Sequence, residues 1–117
     1  MKNKFTKDDA YAFGWKGLDG LAYSSSDDFD FASVATFDVT GRHGKTKTTV
    51  SNRIYYIIKG SGKFIIAGKE IDVAETDTVI VPKNTEYDYS GKMRMFLVHS
   101  PAYNLNGEIN LETMEGK

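Results

Sequence analysis

The sequence contains no cysteine, and this absence excludes several kinds of site at once. Disulfide bonds, metal sites with thiolate ligands and a cysteine nucleophile all need that residue. Proline is almost as scarce, with 2 residues in 117, and no apolar run approaches the roughly 18 residues needed to span a bilayer. The net charge is only −1, and the lysines and arginines are scattered. We therefore expect no membrane protein and no nucleic-acid-binding protein.

The size and composition are typical of one soluble domain. A chain of 117 residues with 40% hydrophobic and 26% charged residues is long enough to bury one core. The first nine residues are charged and lack the apolar stretch of a signal peptide, so we expect a cytoplasmic protein. We predict a single domain over residues 1–117, with a flexible arm over residues 1–10 and a variable tail over residues 104–117.

The central feature of the sequence is a pair of β-prone runs at residues 54–58 and 63–67. Gly60, Ser61 and Gly62 lie between them, and this spacing predicts a β-hairpin with a glycine turn. Further short strands are predicted at residues 11–15, 32–39, 70–73, 78–81 and 93–100. Many short strands without a persuasive helical period predict a β-sandwich or a barrel.

The turn residues and their spacing resemble the two motifs of the cupin family, over about residues 32–101. The glycines and metal ligands of the first motif fall on Gly41, Lys47, Thr49, Arg53 and Gly60. The positions of the second motif fall on Thr76, Pro82, Asn84, Tyr87 and Gly91, of which only Pro82 is kept. The resemblance implies an all-β fold, the cupin-type double-stranded β-helix or jelly-roll barrel.

The metal-ligand positions of the family are not kept in this sequence. A cupin metal site needs three neutral imidazoles and a carboxylate around one ion. Lys47 and Arg53 are cations here, and Thr49 and Tyr87 are poor ligands when neutral. Both histidines lie outside the motif positions. We therefore expect no bound metal and no cofactor.

The same positions predict a polar pocket instead of a metal site. Strand alternation places Lys47, Thr49 and Arg53 on one face, which the resemblance makes the inward face. Cationic and phenolic donors suit a carboxylate, a phosphate or a sugar. The predicted ligand-binding residues are Lys47, Thr49, Arg53, Tyr55, Tyr87 and Tyr89, and the predicted catalytic residues are His99 and Tyr87.

Each of these residues also has a purely structural interpretation. Arg53 pairing with Glu86 or Asp88 would be an internal ion pair. His99 on an apolar face is more often a core histidine than a base, and the tyrosines can be ordinary strand alternation. His43 lies between glycines and an arginine, which is typical of a mobile, solvated loop.

Three functions therefore stay open from the sequence. The first is non-catalytic binding of a small polar or anionic ligand, such as a sugar derivative. The second is a metal-independent sugar isomerase or epimerase, and the third is a structural or partner-binding barrel with a filled interior. The apolar strand at residues 54–58 also predicts a homodimer, with residues 11–15 crossing over.

Overall fold

This computed structural model describes residues 2–112 of the chain. They contain nine strands and two short 3₁₀ turns, joined by loops. That part contains no α-helix, and none of its segments is a helix long and apolar enough to cross a membrane. The 3₁₀ turns are Lys7–Asp9 and Leu105–Gly107. The strands are β1 (Tyr11–Trp15), β2 (Leu18–Ala22), β3 (Ser33–Val39), β4 (Thr46–Thr48), β5 (Asn52–Ile66), β6 (Lys69–Ala74), β7 (Thr78–Val81), β8 (Tyr87–Ser100) and β9 (Glu108–Asn110).

Two long antiparallel strands, β5 and β8, connect the two layers of the barrel. They pair along their length, from Asn52 opposite Ser100 to Ile66 opposite Tyr87. The first half of β5 also pairs with β7, and the second half of β8 with β3, which continues to β2 and β1. The other halves pair with β6 and β4, and β4 in turn pairs with β9. This arrangement of bent, shared strands confirms the predicted jelly-roll barrel.

The hairpin predicted at Gly60–Gly62 is wrong, because the chain runs on through these residues as one strand. The glycines are needed for a close approach between two backbones. A Cβ on Gly60 would lie 2.2 Å from the carbonyl oxygen of Lys92, and one on Gly62 would lie 2.3 Å from that of Ser90. A register shift between Ile57 and Lys59 bends the strand at this point.

Two other turns contain residues with positive φ angles. The chain reverses between β5 and β6 at Ala67 and Gly68, which both have positive φ angles of 50° and 81°. Asn84, which stands where the cupin motif has glycine, has a φ of 65°. Asparagine tolerates this left-handed conformation better than most residues, so it can replace glycine here.

The core lies between the two layers and is rich in aromatic rings. Alternate residues of β5 and β8 face inward, and the buried set includes Tyr55, Ile57, Phe64, Tyr87, Tyr89, Met95 and Leu97. The rings of Tyr55, Phe64 and Tyr89 lie within 5.5 Å of one another, centroid to centroid. These rings fill the deep half of the barrel.

The C-terminal segment closes one side of the barrel. Thr46, Lys47 and Thr48 of β4 pair in register with β9, and the side chain of Glu108 at the start of β9 reaches the interior to meet Arg53 of β5. Within the tail predicted at residues 104–117, Leu105–Gly107 is a 3₁₀ turn and Glu108–Asn110 is strand β9, whereas residues 113–117 lie outside the described residues. The flexibility predicted for residues 1–10 stays a prediction.

Candidate active site in the barrel mouth

A pocket of about 680 Å³ opens at the end of the barrel where β1, β3 and β9 approach each other. Aromatic and small apolar side chains form much of its wall, and Arg53, Glu108 and His99 are among its polar groups. The described residues that line this pocket also include Phe13, Trp15, His43 and Tyr103. A pocket of this size fits a ligand as large as a nucleoside or a sugar derivative.

The inner end of the pocket holds a buried ion pair between Arg53 and Glu108. The Arg53 side chain is 4% exposed and the Glu108 side chain 13%. One guanidinium nitrogen of Arg53 contacts Glu108, and the other donates a hydrogen bond of 2.6 Å to the hydroxyl of Tyr87. The prediction that Arg53 points inward near Tyr87 is confirmed, and its carboxylate partner is Glu108. The two acids proposed from the sequence bind elsewhere, since Asp88 contacts Arg42 and Glu86 contacts Lys45.

Hydrogen bonds continue from the ion pair into the tyrosines behind it. A guanidinium can only donate, so the Tyr87 oxygen accepts from Arg53. The hydroxyl oxygens of Tyr87 and Tyr55 lie 2.8 Å apart, and either of them can be the donor of the bond between them. Burial raises the pKa of both tyrosines, although the charge of Arg53 partly offsets the rise. Both hydroxyls therefore stay protonated at neutral pH.

Arg53 stays charged despite its burial. Burial by itself lowers the pKa of Arg53, but Tyr87, Tyr55 and Glu108 raise it by more than burial lowers it. The Nε atom of Arg53 is buried and has no hydrogen-bond partner among the described residues. A buried donor without a partner costs about 1–3 kcal/mol, so Nε adds to the free-energy cost of burying this arginine.

His43 forms part of the pocket wall and is only 5% exposed. Its ring lies 4.8 Å from that of Tyr89 and 5.3 Å from that of Trp15. It also stacks on Tyr87 at 6.0 Å. The prediction of a mobile, solvated loop at His43 is therefore wrong, because the ring is packed among three aromatic side chains.

The tautomer of His43 follows from its backbone contact. Its Nδ1 atom lies 2.8 Å from the carbonyl oxygen of Gly44. A carbonyl can only accept, so Nδ1 carries a proton. Nε2 is then the ring nitrogen at which the imidazole in its neutral form can act as a general base.

His99 lies beside Arg53 on the neighbouring strand and also lines the pocket. Burial lowers the pKa of His99 to about 3, and the charge of Arg53 adds to this effect. Its Nδ1 lies 3.5 Å from the hydroxyl of Ser33, and its ring packs against Tyr103. The catalytic role predicted for His99 stays a prediction, but the residue is neutral and only weakly basic at pH 7.

The lowered pKa of His99 predicts a specific dependence of stability on pH. In the unfolded chain His99 takes up a proton near pH 6.5, whereas in the folded protein it does so only near pH 3. Between these values the unfolded state binds more protons, so stability falls as the pH falls, by at most about 1.4 kcal/mol per pH unit. His99→Gln should flatten the stability curve between pH 6.5 and pH 3, measured by urea unfolding. A slope equal to that of the wild type would contradict the burial of a neutral His99.

The structure separates the predicted ligand-binding residues into three groups. Arg53 lines the pocket, whereas Tyr55, Tyr87 and Tyr89 are at most 1% exposed and lie beneath it. Lys47 and Thr49 are not among the residues that line it. The prediction that these two share the inward face with Arg53 is wrong, because Thr46 and Thr48 are the buried residues of β4. The alternation of inward and outward side chains in β4 does not continue in the same phase into β5, because residues 49–51 between the two strands are not a strand.

Three pocket residues were not singled out from the sequence as site residues. Glu108 lies in a polar tail with little strand pattern, and His43 lies between two glycines. Trp15 was noted only as part of an alternating strand. The signal that could have found Glu108 is the lone buried arginine itself, because a buried guanidinium needs a carboxylate partner.

Comparison with known proteins places this geometry in a fold family. No family model and no curated protein matches the sequence, but many solved structures match the fold. Pac13, described as a nucleoside dehydratase, shares 28% identity over 99% of this chain and 96% of its own, with a TM-score of 0.89. The polyketide cyclase RemF from Streptomyces resistomycificus shares 16% identity over 99% and 89%, with a TM-score of 0.73. KdgF from Halomonas sp. shares 11% over 89% and 97%, with a TM-score of 0.75.

The protein has the cupin fold. The Pac13 structures include Streptomyces variants solved with uridine, two with a tyrosine replaced by phenylalanine and one with a histidine replaced by glutamine. The neighbours of this cupin are enzymes, which is consistent with small-molecule binding in its barrel. Among its described residues, no group of three or more histidine and acidic side chains is placed to hold a metal ion.

Proposed function

We propose that this cupin is a metal-independent enzyme that binds a nucleoside-like molecule and removes water from its sugar. The observation that carries this proposal is His43, an imidazole in the wall of an aromatic pocket whose Nδ1 donates to the carbonyl oxygen of Gly44. The similarity to Pac13 over nearly the whole chain supports it. Tyrosine and histidine are the residue types replaced in the uridine-bound Streptomyces structures, and they are also the types at the centre of this barrel.

The aromatic walls favour a flat ligand. Phe13 of β1 packs edge-to-face against Phe37 of β3, and Trp15 packs edge-to-face against His43. A nucleobase can stack on such side chains and bury its apolar faces. Its carbonyl groups are neutral acceptors, so they add no charge beside the Arg53–Glu108 ion pair at the inner end.

The reaction needs one group that first accepts and then returns a proton. The Nε2 atom of His43 takes a proton from a sugar carbon, and the electron pair of that C–H bond becomes the new C=C bond. The neighbouring C–O bond breaks, and the departing oxygen takes the proton from His43 and leaves as water. The C–H proton must be acidic, so we expect the substrate to carry a carbonyl next to it. Uridine itself lacks such a group and serves as a binding probe.

The proposal is tested by binding and turnover measurements on the untagged protein. Uridine should raise the melting temperature and bind with one site per chain in calorimetry. Uridine derivatives with a carbonyl beside a sugar C–H bond should lose the mass of one water, with and without a chelator. No uridine binding, or turnover that stops on chelation, would contradict the proposal.

A sugar isomerase or epimerase uses the same base but leaves a different product. In ordinary water the product then has the same mass as the substrate. In D₂O, deuterium enters the sugar because the abstracted proton exchanges with the solvent. A non-catalytic binding protein would bind uridine and turn over none of these compounds. A fully filled barrel is disfavoured by the 680 Å³ pocket, although the deep half below it is filled by tyrosines.

We also propose a cytoplasmic homodimer that pairs through the outer face of β5, β7 and β8. Ile54, Tyr56, Ile80 and Phe96 are neighbours on this face and are 38%, 41%, 62% and 36% exposed. An apolar sheet face of this kind is typical of an interface. Ile80→Lys should shift the protein from dimer to monomer in light scattering, because it places a charge in the interface. Ile109→Lys on β9 is the control and should stay dimeric, and a monomeric wild type would contradict the proposal.

A further inference from the structure

The charged groups around the pocket do not add up to an anion-binding site. Among the described residues that line it, Arg53 is the lone lysine or arginine, and the acids are Asp9, Asp28 and Glu108. Asp9 already binds Lys2 and the backbone of Thr6 at the rim, and Asp28 accepts from the backbone of Ser25. Glu108 is the one acid that contacts Arg53.

Without Glu108, the inner end of the pocket would suit a phosphate. A buried guanidinium is a strong and specific partner for phosphate or carboxylate oxygens. Arg53 is 3% exposed and reaches the pocket from β5, with the neutral His99 beside it. The carboxylate of Glu108 already binds Nη2 of this guanidinium. An entering phosphate would have to displace that carboxylate or lie against it, and like charges in a buried site repel strongly.

The nitrogens of Arg53 are engaged or enclosed within the protein. Nη1 donates to Tyr87 and Nη2 to Glu108, whereas Nε is buried and has no partner among the described residues. With its charge balanced by Glu108, the guanidinium offers a phosphate little net attraction. The ion pair therefore turns a cation into a group without net charge.

We propose that Glu108 determines the specificity of the pocket by neutralising Arg53, so that uncharged ligands are accepted and phosphorylated ones are rejected. The proposal rests on the proposed function for the identity of the neutral ligand, a nucleoside instead of a nucleotide. Its central claim about phosphate depends only on Arg53 and Glu108. A failure of uridine binding would therefore leave this claim to be decided by its own experiment.

The experiment uses inorganic phosphate as the probe and Glu108→Gln as the variant. Removing the carboxylate exposes the charge of Arg53, and phosphate should then bind at least about tenfold more tightly than to the wild type. Melting temperature as a function of phosphate concentration measures this difference, because a ligand stabilises the state that binds it. Chloride at equal ionic strength corrects for general salt effects.

Two further variants serve as controls. Glu70→Gln makes the same change of charge at a side chain that is 64% exposed and pairs with Lys63 on the outside, so it should respond to phosphate as the wild type does. Arg53→Met combined with Glu108→Gln removes the cation as well and should lose the phosphate effect.

The outcomes separate the possibilities clearly. A phosphate-dependent rise in melting temperature for Glu108→Gln, absent from the wild type and both controls, supports the proposal. Phosphate binding to the wild type with similar affinity would overturn it. A Glu108→Gln protein that stays unfolded even in phosphate would overturn it too, because the bound anion should replace the missing carboxylate beside Arg53.

Discussion

Arg53→Met is expected to lower the free energy of unfolding by about 3–5 kcal/mol, because it leaves the carboxylate of Glu108 buried without its cation. The same change removes the donor that binds the Tyr87 hydroxyl at 2.6 Å. Urea unfolding monitored by tryptophan fluorescence measures the loss, and the single Trp15 of the chain lies in the pocket wall. A loss this large is a substantial part of the stability of a small domain.

The double variant Arg53→Met with Glu108→Leu isolates the cause. Replacing both members of a buried ion pair by apolar side chains is often neutral or stabilising, so much of the lost stability should return. Arg94→Met is the matched control, since Arg94 pairs with Asp38 on the exposed surface, and it should change stability far less. Equal effects of Arg53→Met and Arg94→Met would contradict the burial of the Arg53 ion pair.

His43→Gln is expected to lower the rate at which the substrate is dehydrated by about 10²- to 10⁴-fold, the usual contribution of a general base. Uridine binding should persist, because glutamine fills much of the same space between Trp15 and Tyr89. Steady-state kinetics and calorimetry on the same preparation separate the two effects. A parallel loss of binding and turnover would indicate a structural role for His43.

The second histidine of the chain provides the comparison. His99→Gln should keep most of the turnover, since the pKa of His99 is lowered to about 3 and the ring is only a weak base. His43→Gln should lose nearly all of it. If instead His99→Gln causes the larger loss of turnover, the base is His99, as the sequence predicts, and the assignment of His43 is wrong.

The all-β class, the kind of barrel and most of the strand positions could be predicted from the sequence, because they depend on local patterns. Alternation of apolar and polar residues in β3, β5 and β8 reflects one buried and one exposed face. The turns at Gly68 and Asn84 follow from the φ angles that these residue types tolerate. The inward position of Arg53 also follows from the strand pattern once the motif is aligned.

The tertiary structure decided which residues of these strands and turns come into contact. Gly60 and Gly62 look like a turn in the sequence, but they allow β5 to pass close to β8, and only the partner strand shows this. Glu108 is 55 residues from Arg53 in the sequence, so no local pattern can connect them. His43 is buried because Trp15 of β1 and Tyr87 and Tyr89 of β8 pack around it. Pairing between strands distant in the sequence depends on the whole fold, and for that reason the candidate site emerged only when β1, β5, β8 and β9 were placed together.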